Sequence, residues 1–153
     1  MTHPHGRLRR WAGLWLLRLA LAALLAPAAA GAAALAEADA RAVRSVIEAQ
    51  LDAFAADDAE RAFSYASTAL RTQFGDAATF MAMVRAGYPM VLRPEFVAFF
   101  QPQSTDGVVW QTLRLRDRAG HLWLATYQLA QQAGAGWRIQ GCVVTEDAGK
   151  SST

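Results

Sequence analysis

Adjacent carboxylates at Asp57 and Asp58, with Asp52 close upstream, are the residues of this sequence best suited to proton transfer. A general base of that kind works when an apolar pocket holds it and raises its pKa. The same residues have a local explanation, because Asp57-Asp58-Ala59-Glu60 resembles a capping box at a helix start. His121 is the only histidine beyond His3 and His5, and Cys142 is the only cysteine. One imidazole and one thiol cannot assemble a structural zinc site. They also fail as a nucleophile pair. Centring the hairpins on their turns sets Cys142 opposite Thr126, five residues from His121, or about 16 Å at roughly 3.3 Å per residue. Proton transfer needs about 3 Å. A lone thiol inside a strand acts as a small hydrophobe. No nucleophile elbow, phosphate loop or dinucleotide fingerprint follows the N-terminal segment, and no cofactor or metal is implied. A second set, Tyr65, Arg71, Tyr88, Arg93 and Tyr127, suits binding: phenols and guanidinium groups among apolar walls can orient a weakly acidic ligand. Their other role is to tie loops down through hydrogen bonds.

The elements that must position these groups divide cleanly along the chain. Asp39 is placed to cap a helix with an apolar stripe at Val43, Val46, Ile47, Leu51 and Phe54, interrupted only by Gln50. A second helix buries Ala59, Ala62, Phe63 and Ala66. Ser67 or Thr68 caps a short turn through Arg71 to Phe74, and Asp76 caps a helix with Phe80, Met83 and Val84 inward. Gly87 stands where a left-handed residue ends a helix, and Pro89 prevents continuation. Strands then follow at Glu95–Gln101, Val108–Arg116, His121–Gln131 and Trp137–Thr145, separated by Gly-containing turns. Helices first and a meander second predict an α+β domain, its N-terminal helices packed on a curved four-stranded antiparallel sheet. The provisional register opposes Arg114 to Trp123, Trp110 to Tyr127 and Tyr127 to Gly141. Trp110, Trp123, Tyr127, Ile139 and Val143 would then share one face. Leu113, Leu115, Leu122, Leu124, Cys142 and Val144 share the other, with Gln111, Thr126, Gln128 and Gln140. Neither face is cleanly polar, which suggests a homodimer covering the outside of the sheet.

The first residues read as an export signal: Arg7, Arg9 and Arg10, an apolar stretch from Leu14 to Ala26, then small residues with cleavage patterns ending at Ala30 and Ala36. Arg18 and Pro27 leave the apolar run short of the about 20 residues a membrane span needs. No cysteine near the cut means no lipoprotein anchor. The organisation expected is a signal peptide at 1–36, one domain at 37–147 and a disordered tail at 148–153, in a periplasmic or secreted protein that touches the membrane only through its signal. The whole sequence has fifteen Lys and Arg against thirteen Asp and Glu. Without residues 1–36, eleven basic residues remain and the net charge becomes −2. Only Arg114, Arg116 and Arg118 cluster, too few for a nucleic-acid surface.

The wording of the chain resembles a bacterial family, domain of unknown function 4864. The resemblance rests on Gln50-Leu51-Asp52-Ala53-Phe54, Asp57-Asp58 and Ala62-Phe63-Ser64-Tyr65-Ala66-Ser67. It continues through Arg71, Phe74-Gly75, Phe80, Met83-Val84, Gly87-Tyr88-Pro89, Arg93-Pro94, Tyr127 and Gly136 to Cys142. It covers residues 46–144, with Thr68 standing where the family favours proline. The arrangement also resembles the nuclear transport factor 2-like and cystatin-like superfolds. The family supplies a fold and no activity, so it carries over no catalytic residue. Two function classes follow. The first is a non-enzymatic module that binds a small apolar or weakly acidic ligand, or a protein partner, at the helix–sheet mouth. The second is a small cofactor-free lyase or isomerase using a pocket carboxylate. Fold alone gives no warrant for activity, and the residues favour binding. Amino-terminal sequencing of the exported protein is expected to read Gly31 or Glu37 first. A Met1 start in a membrane fraction would overturn the export reading.

Overall fold

The structure, a computed structural model, describes residues 35–149, so most of the expected signal segment and the end of the tail lie outside it. Its first half is helical. Helix α1 spans Glu37–Ala55, α2 Ala59–Ser64, α3 Thr68–Phe74 and α4 Ala77–Gly87, followed by a 3₁₀ turn at Pro89–Val91. Caps form at all three expected helix starts, the first through Asp58 and Arg61 rather than as a box between Asp57 and Glu60: Asp58 Oδ1 accepts from Arg61 N at 3.0 Å, Ser67 Oγ from Leu70 N at 3.2 Å and Asp76 Oδ1 from Thr79 N at 2.7 Å. Each such cap stabilises its helix by about 1 kcal/mol.

Two expected helix signals are corrected. Helix α1 begins at Glu37 with Ala36 before it, so Asp39 lies inside the first turn. Its carboxylate instead accepts from Trp137 Nε1 at 3.3 Å and Gln131 Nε2 at 3.4 Å. Gly87 is the last residue of α4 and not a left-handed one; Tyr88, at φ −136°, follows it as the cap. The left-handed helix ends are elsewhere. Gly75 closes α3 at φ 81°, and Asp57 follows α1 at φ 58°. Asp57 pairs with Arg85 of α4, which joins the first inter-helix turn to the last helix.

The second half is a curved antiparallel sheet of five strands rather than four. They are β1 (Phe96–Phe99), β2 (Gln103–Thr105), β3 (Val108–Arg116), β4 (Leu122–Gln132) and β5 (Gly136–Glu146). The expected first strand is shorter, ending at Phe99, and residues expected in the turn form the extra strand β2; Pro102 between them has no N–H to continue the ladder. Both strands pair with β3. Gln111 sits at the break and donates from Nε2 to Phe100 O at 2.7 Å and Thr112 O at 3.1 Å. That bond accounts for a buried glutamine on the core face.

The provisional register is off by one through much of the sheet. Arg114 faces Leu124, Trp110 faces Gln128 and Tyr127 faces Gln111 and Cys142. One cause is the β3–β4 loop. Asp117 takes the amides of Ala119 and His121 on Oδ1, and its own N–H donates to His121 O, so His121 belongs to the loop and not to the strand. The other cause is a bulge in β5. From the turn up to Leu129 and Ile139 the pairing follows expectation; beyond Gln128 it shifts by one residue.

The corrected register sorts the faces. Val109, Leu113, Leu115, Ala125, Tyr127, Leu129 and Ile139 are buried against the helices, joined by the half-buried Trp123, Cys142 and Val144. Trp110 and Val143 turn outward, 40% and 58% exposed, against the expected shared face with Tyr127. On the helical side Phe80 is the hub, with Phe54, Phe63 and Phe74 at ring-centroid distances of 6.2, 5.3 and 5.5 Å. Among the described residues no helix is long and apolar enough to cross a membrane.

Candidate functional site

Main-chain hydrogen bonds tie the helical half to the sheet edge at Ile139. Ile139 N donates to Tyr65 O at 2.9 Å, and Ser67 N donates to Ile139 O at 2.8 Å. This short parallel bridge between Ala66 and Ile139 holds the α2–α3 junction against β5. Ala66 and Ile139 also line a cavity of about 210 Å³ between the helices and the strands.

Its walls come from α1, α3, α4, the junction before α3 and strands β4 and β5, with α2 contributing none. Helix α1 gives Gln50 and Phe54, the α2–α3 segment Ala66, Leu70 and Phe74, and α4 Phe80, Met83 and Val84. Tyr88 and Val91 close one side; Tyr127, Ile139, Gly141, Cys142 and Val144 form the floor. The lining is apolar apart from two phenols, one thiol and one carboxamide, and it contains no Asp, Glu, His, Lys or Arg. Gln50 is 3% exposed and its Nε2 donates to Ala62 O at 3.1 Å.

Tyr127 and Cys142 are cross-strand partners whose side chains meet at the cavity floor. Burial pushes the Cys142 thiol up to about 12, partly offset by its hydrogen bond with Tyr127. Burial also raises Tyr127 well above the usual phenol value, and the neighbouring Cys142 adds to the rise. Near neutral pH both groups are therefore uncharged.

Of the five residues expected to bind a ligand, the structure brings Tyr88 and Tyr127 together in the cavity wall. Tyr65 caps α2, half-buried, with its phenol beside Arg61 outside the lining. Arg71 is exposed on α3. Arg93 is exposed and donates from Nε to Ala55 O at 3.0 Å, so it serves the C-terminal carbonyls of α1. That is a structural tie, from the loop before β1 to α1 rather than to the sheet. Asp52, Asp57 and Asp58, the candidate bases, are all exposed and none lines the cavity. His121 is exposed, with Nδ1 3.3 Å from Asp117 Oδ2. Among the described residues no group of three or more His, Cys, Asp or Glu is placed to hold a metal.

Sequence reasoning passed over Gln50, Leu70, Phe74 and Met83 as site residues. Gln50 did carry a signal, as the one polar residue on the apolar stripe of α1. The other three read as ordinary core positions, and nothing in their types marks a cavity.

The geometry defines an α+β domain with one apolar chamber between its helices and the edge of its sheet. A family model described as domain of unknown function (DUF4864) matches residues 20–152, and the chain belongs to that family. No curated protein and no solved structure gives a significant match.

The raised pKa values fix a sign for alkaline stability. A thiol or phenol held protonated by the fold favours the folded state below its unfolded pKa. That advantage is lost as pH rises through the folded value. For Cys142 the window runs from about 9 in the free thiol to about 12 in the fold. Thermal melts should therefore fall from pH 9 upward, and Cys142→Ala should flatten part of that fall while leaving Tyr127 to cause the rest. Thiol reagents should label Cys142 slowly at pH 8 in the native protein and quickly after denaturation. Rapid native labelling would show the thiol is not held in the cavity floor.

Proposed function

We propose that this domain is an exported small-molecule binding module whose ligand occupies the chamber beneath α3 and α4. The observation that carries the reading is an apolar cavity of about 210 Å³ with a few polar groups in its wall, the usual composition of a small-ligand site. The lyase or isomerase alternative calls for a carboxylate or imidazole inside the pocket. The lining has neither, and this favours binding over turnover. Helices filling the mouth of a curved sheet agree with the nuclear transport factor 2-like and cystatin-like superfolds, to which we assign the architecture. For export, we propose the cut after Ala30. It keeps Leu35, which packs against the core, and Ala36 at the start of α1.

Leu70 stands half-buried in the cavity wall. Native mass spectrometry of protein purified from its own host should find a small neutral molecule bound. Leu70→Trp should remove it by filling the chamber, with melting within a few degrees of wild type. An empty wild-type protein that gains no thermal stability from a panel of small apolar compounds would sink the reading.

A second reading, partner binding, has its own observation. Phe96, Phe100, Trp110, Leu122 and Val143 are the exposed large apolar residues of the described chain, and all lie on the outer face of the sheet. Arg114 and Arg116 on that face are neutralised within the chain by Asp147 at 2.7 Å and Glu95 at 3.8 Å. A second copy would thus meet little net charge. Strands about 4.8 Å apart and about 30 Å long give a face of roughly 600 Å². Two such faces bury roughly 1,200 Å², the lower end of specific interfaces. We propose a homodimer paired through this face. Sedimentation should find a dimer at micromolar concentration and a monomer for Trp110→Glu; a wild-type monomer at the same concentration rejects it.

A further inference from the structure

The Gln50 carboxamide tells what kind of molecule the chamber takes. Its Nε2 is committed to Ala62 O, which fixes the orientation of the amide and makes Oε1 the other end. No donor among the described residues reaches that oxygen, yet no buried side-chain oxygen or nitrogen is sealed off without a partner. The oxygen must therefore face open space, and the chamber is the space Gln50 lines. A carboxamide on a residue only 3% exposed, with its acceptor directed into an apolar cavity, is a hydrogen-bond acceptor waiting for a donor.

We infer that the ligand is a neutral, mainly apolar molecule with one N–H or O–H group that donates to Gln50 Oε1. This rests on the chamber being a binding site. Neutrality follows from the walls. With no cationic or anionic side chain in the lining, an ionised ligand would lose its hydration without gaining a partner. The weakly acidic ligand expected from Arg71 and Arg93 is therefore replaced by a neutral one, because neither guanidinium reaches the chamber. Size follows from volume. A cavity of about 150 Å³ admits benzene; about 210 Å³ leaves room for a second, smaller ring. The Tyr127 hydroxyl and Cys142 thiol, both uncharged, offer a further weak polar contact on the floor.

Indole and indene test this, since they share a bicyclic shape and differ in one ring N–H. Calorimetry on the full mature chain should find indole bound at least about 10-fold more tightly, because the unfilled acceptor penalises the analogue without a donor. In Gln50→Leu the preference should fall to within about 2-fold. Equal affinities in the wild-type protein overturn the donor inference and leave the binding-module reading standing. Failure of both compounds to bind overturns the two together. An indole preference that survives in a folded Gln50→Leu protein removes Gln50 from the role assigned here.

Discussion

Two backbone hydrogen bonds at Ile139 hold the helical half to the sheet half at the edge of β5, and the site depends on them. They use the N–H and C=O of one edge residue, groups that would otherwise be left without a partner at the sheet margin. Side chains reinforce the bridge: Asp39 of α1 accepts from Trp137 Nε1 of β5, and Thr68 of α3 exchanges hydrogen bonds with Gln132 of β4. Glycine at 75 then turns the chain sharply after α3, and α4 packs on α2 and α3 with Phe80 gathering the phenylalanines of α1, α2 and α3. Phe54, Phe74 and Phe80 of that cluster are also walls of the chamber, so the dense core and the hollow share the same residues.

Much of this architecture was legible from local chemistry. Ser67, Asp58 and Asp76 cap helices because a short polar side chain before an apolar run satisfies free amides whatever the rest of the fold does. Hairpin order was legible for the same reason, since the Asp106-Gly107 turn adopts left-handed φ values of 52° and 78° that suit a two-residue loop. Register was not. It depended on whether His121 counts as loop or strand, which Asp117 decides by capturing two amides, and on a bulge near Gln140. Either event moves every later side chain to the other face. That is why the expected register set Trp110 on the same face as Tyr127 and Leu113 on the opposite one. Fold class survives a slip of one residue; a list of cavity residues does not.

The site was only half legible for a different reason. Tyr, Arg and Asp attract notice because they can bind or react, and three exposed ones here spend that capacity on structure. Arg93 serves Ala55 O, Asp58 caps α2 and Asp57 pairs with Arg85. The chamber instead uses residues whose types say core: Leu70, Phe74, Met83 and Val84. Only misfits in an otherwise regular pattern pointed to polar work indoors. Gln111 and Gln50 are both glutamines at buried positions, and each donates to a backbone carbonyl. Gln111 answers a gap in the strand ladder, which accounts for its place. Gln50 satisfies Ala62 with one end and leaves the other facing the hollow.

The energetics of that hollow argue against treating it as loose packing. A sealed void costs about 24 cal/mol per Å³; the chamber of about 210 Å³ is partly open, so its cost lies below that of a sealed void of its size. Whole domains are stable by only about 5–15 kcal/mol. Water can lower such a cost where it finds several polar partners. Here it meets one carboxamide oxygen, two phenols and a thiol spread over a mostly apolar wall. A methionine or a larger aliphatic residue at Ala66, Val84 or Val144 would reduce the volume with no change of backbone class. The small residues there keep open a space that packing alone disfavours, and an apolar occupant recovers the lost contacts as water cannot.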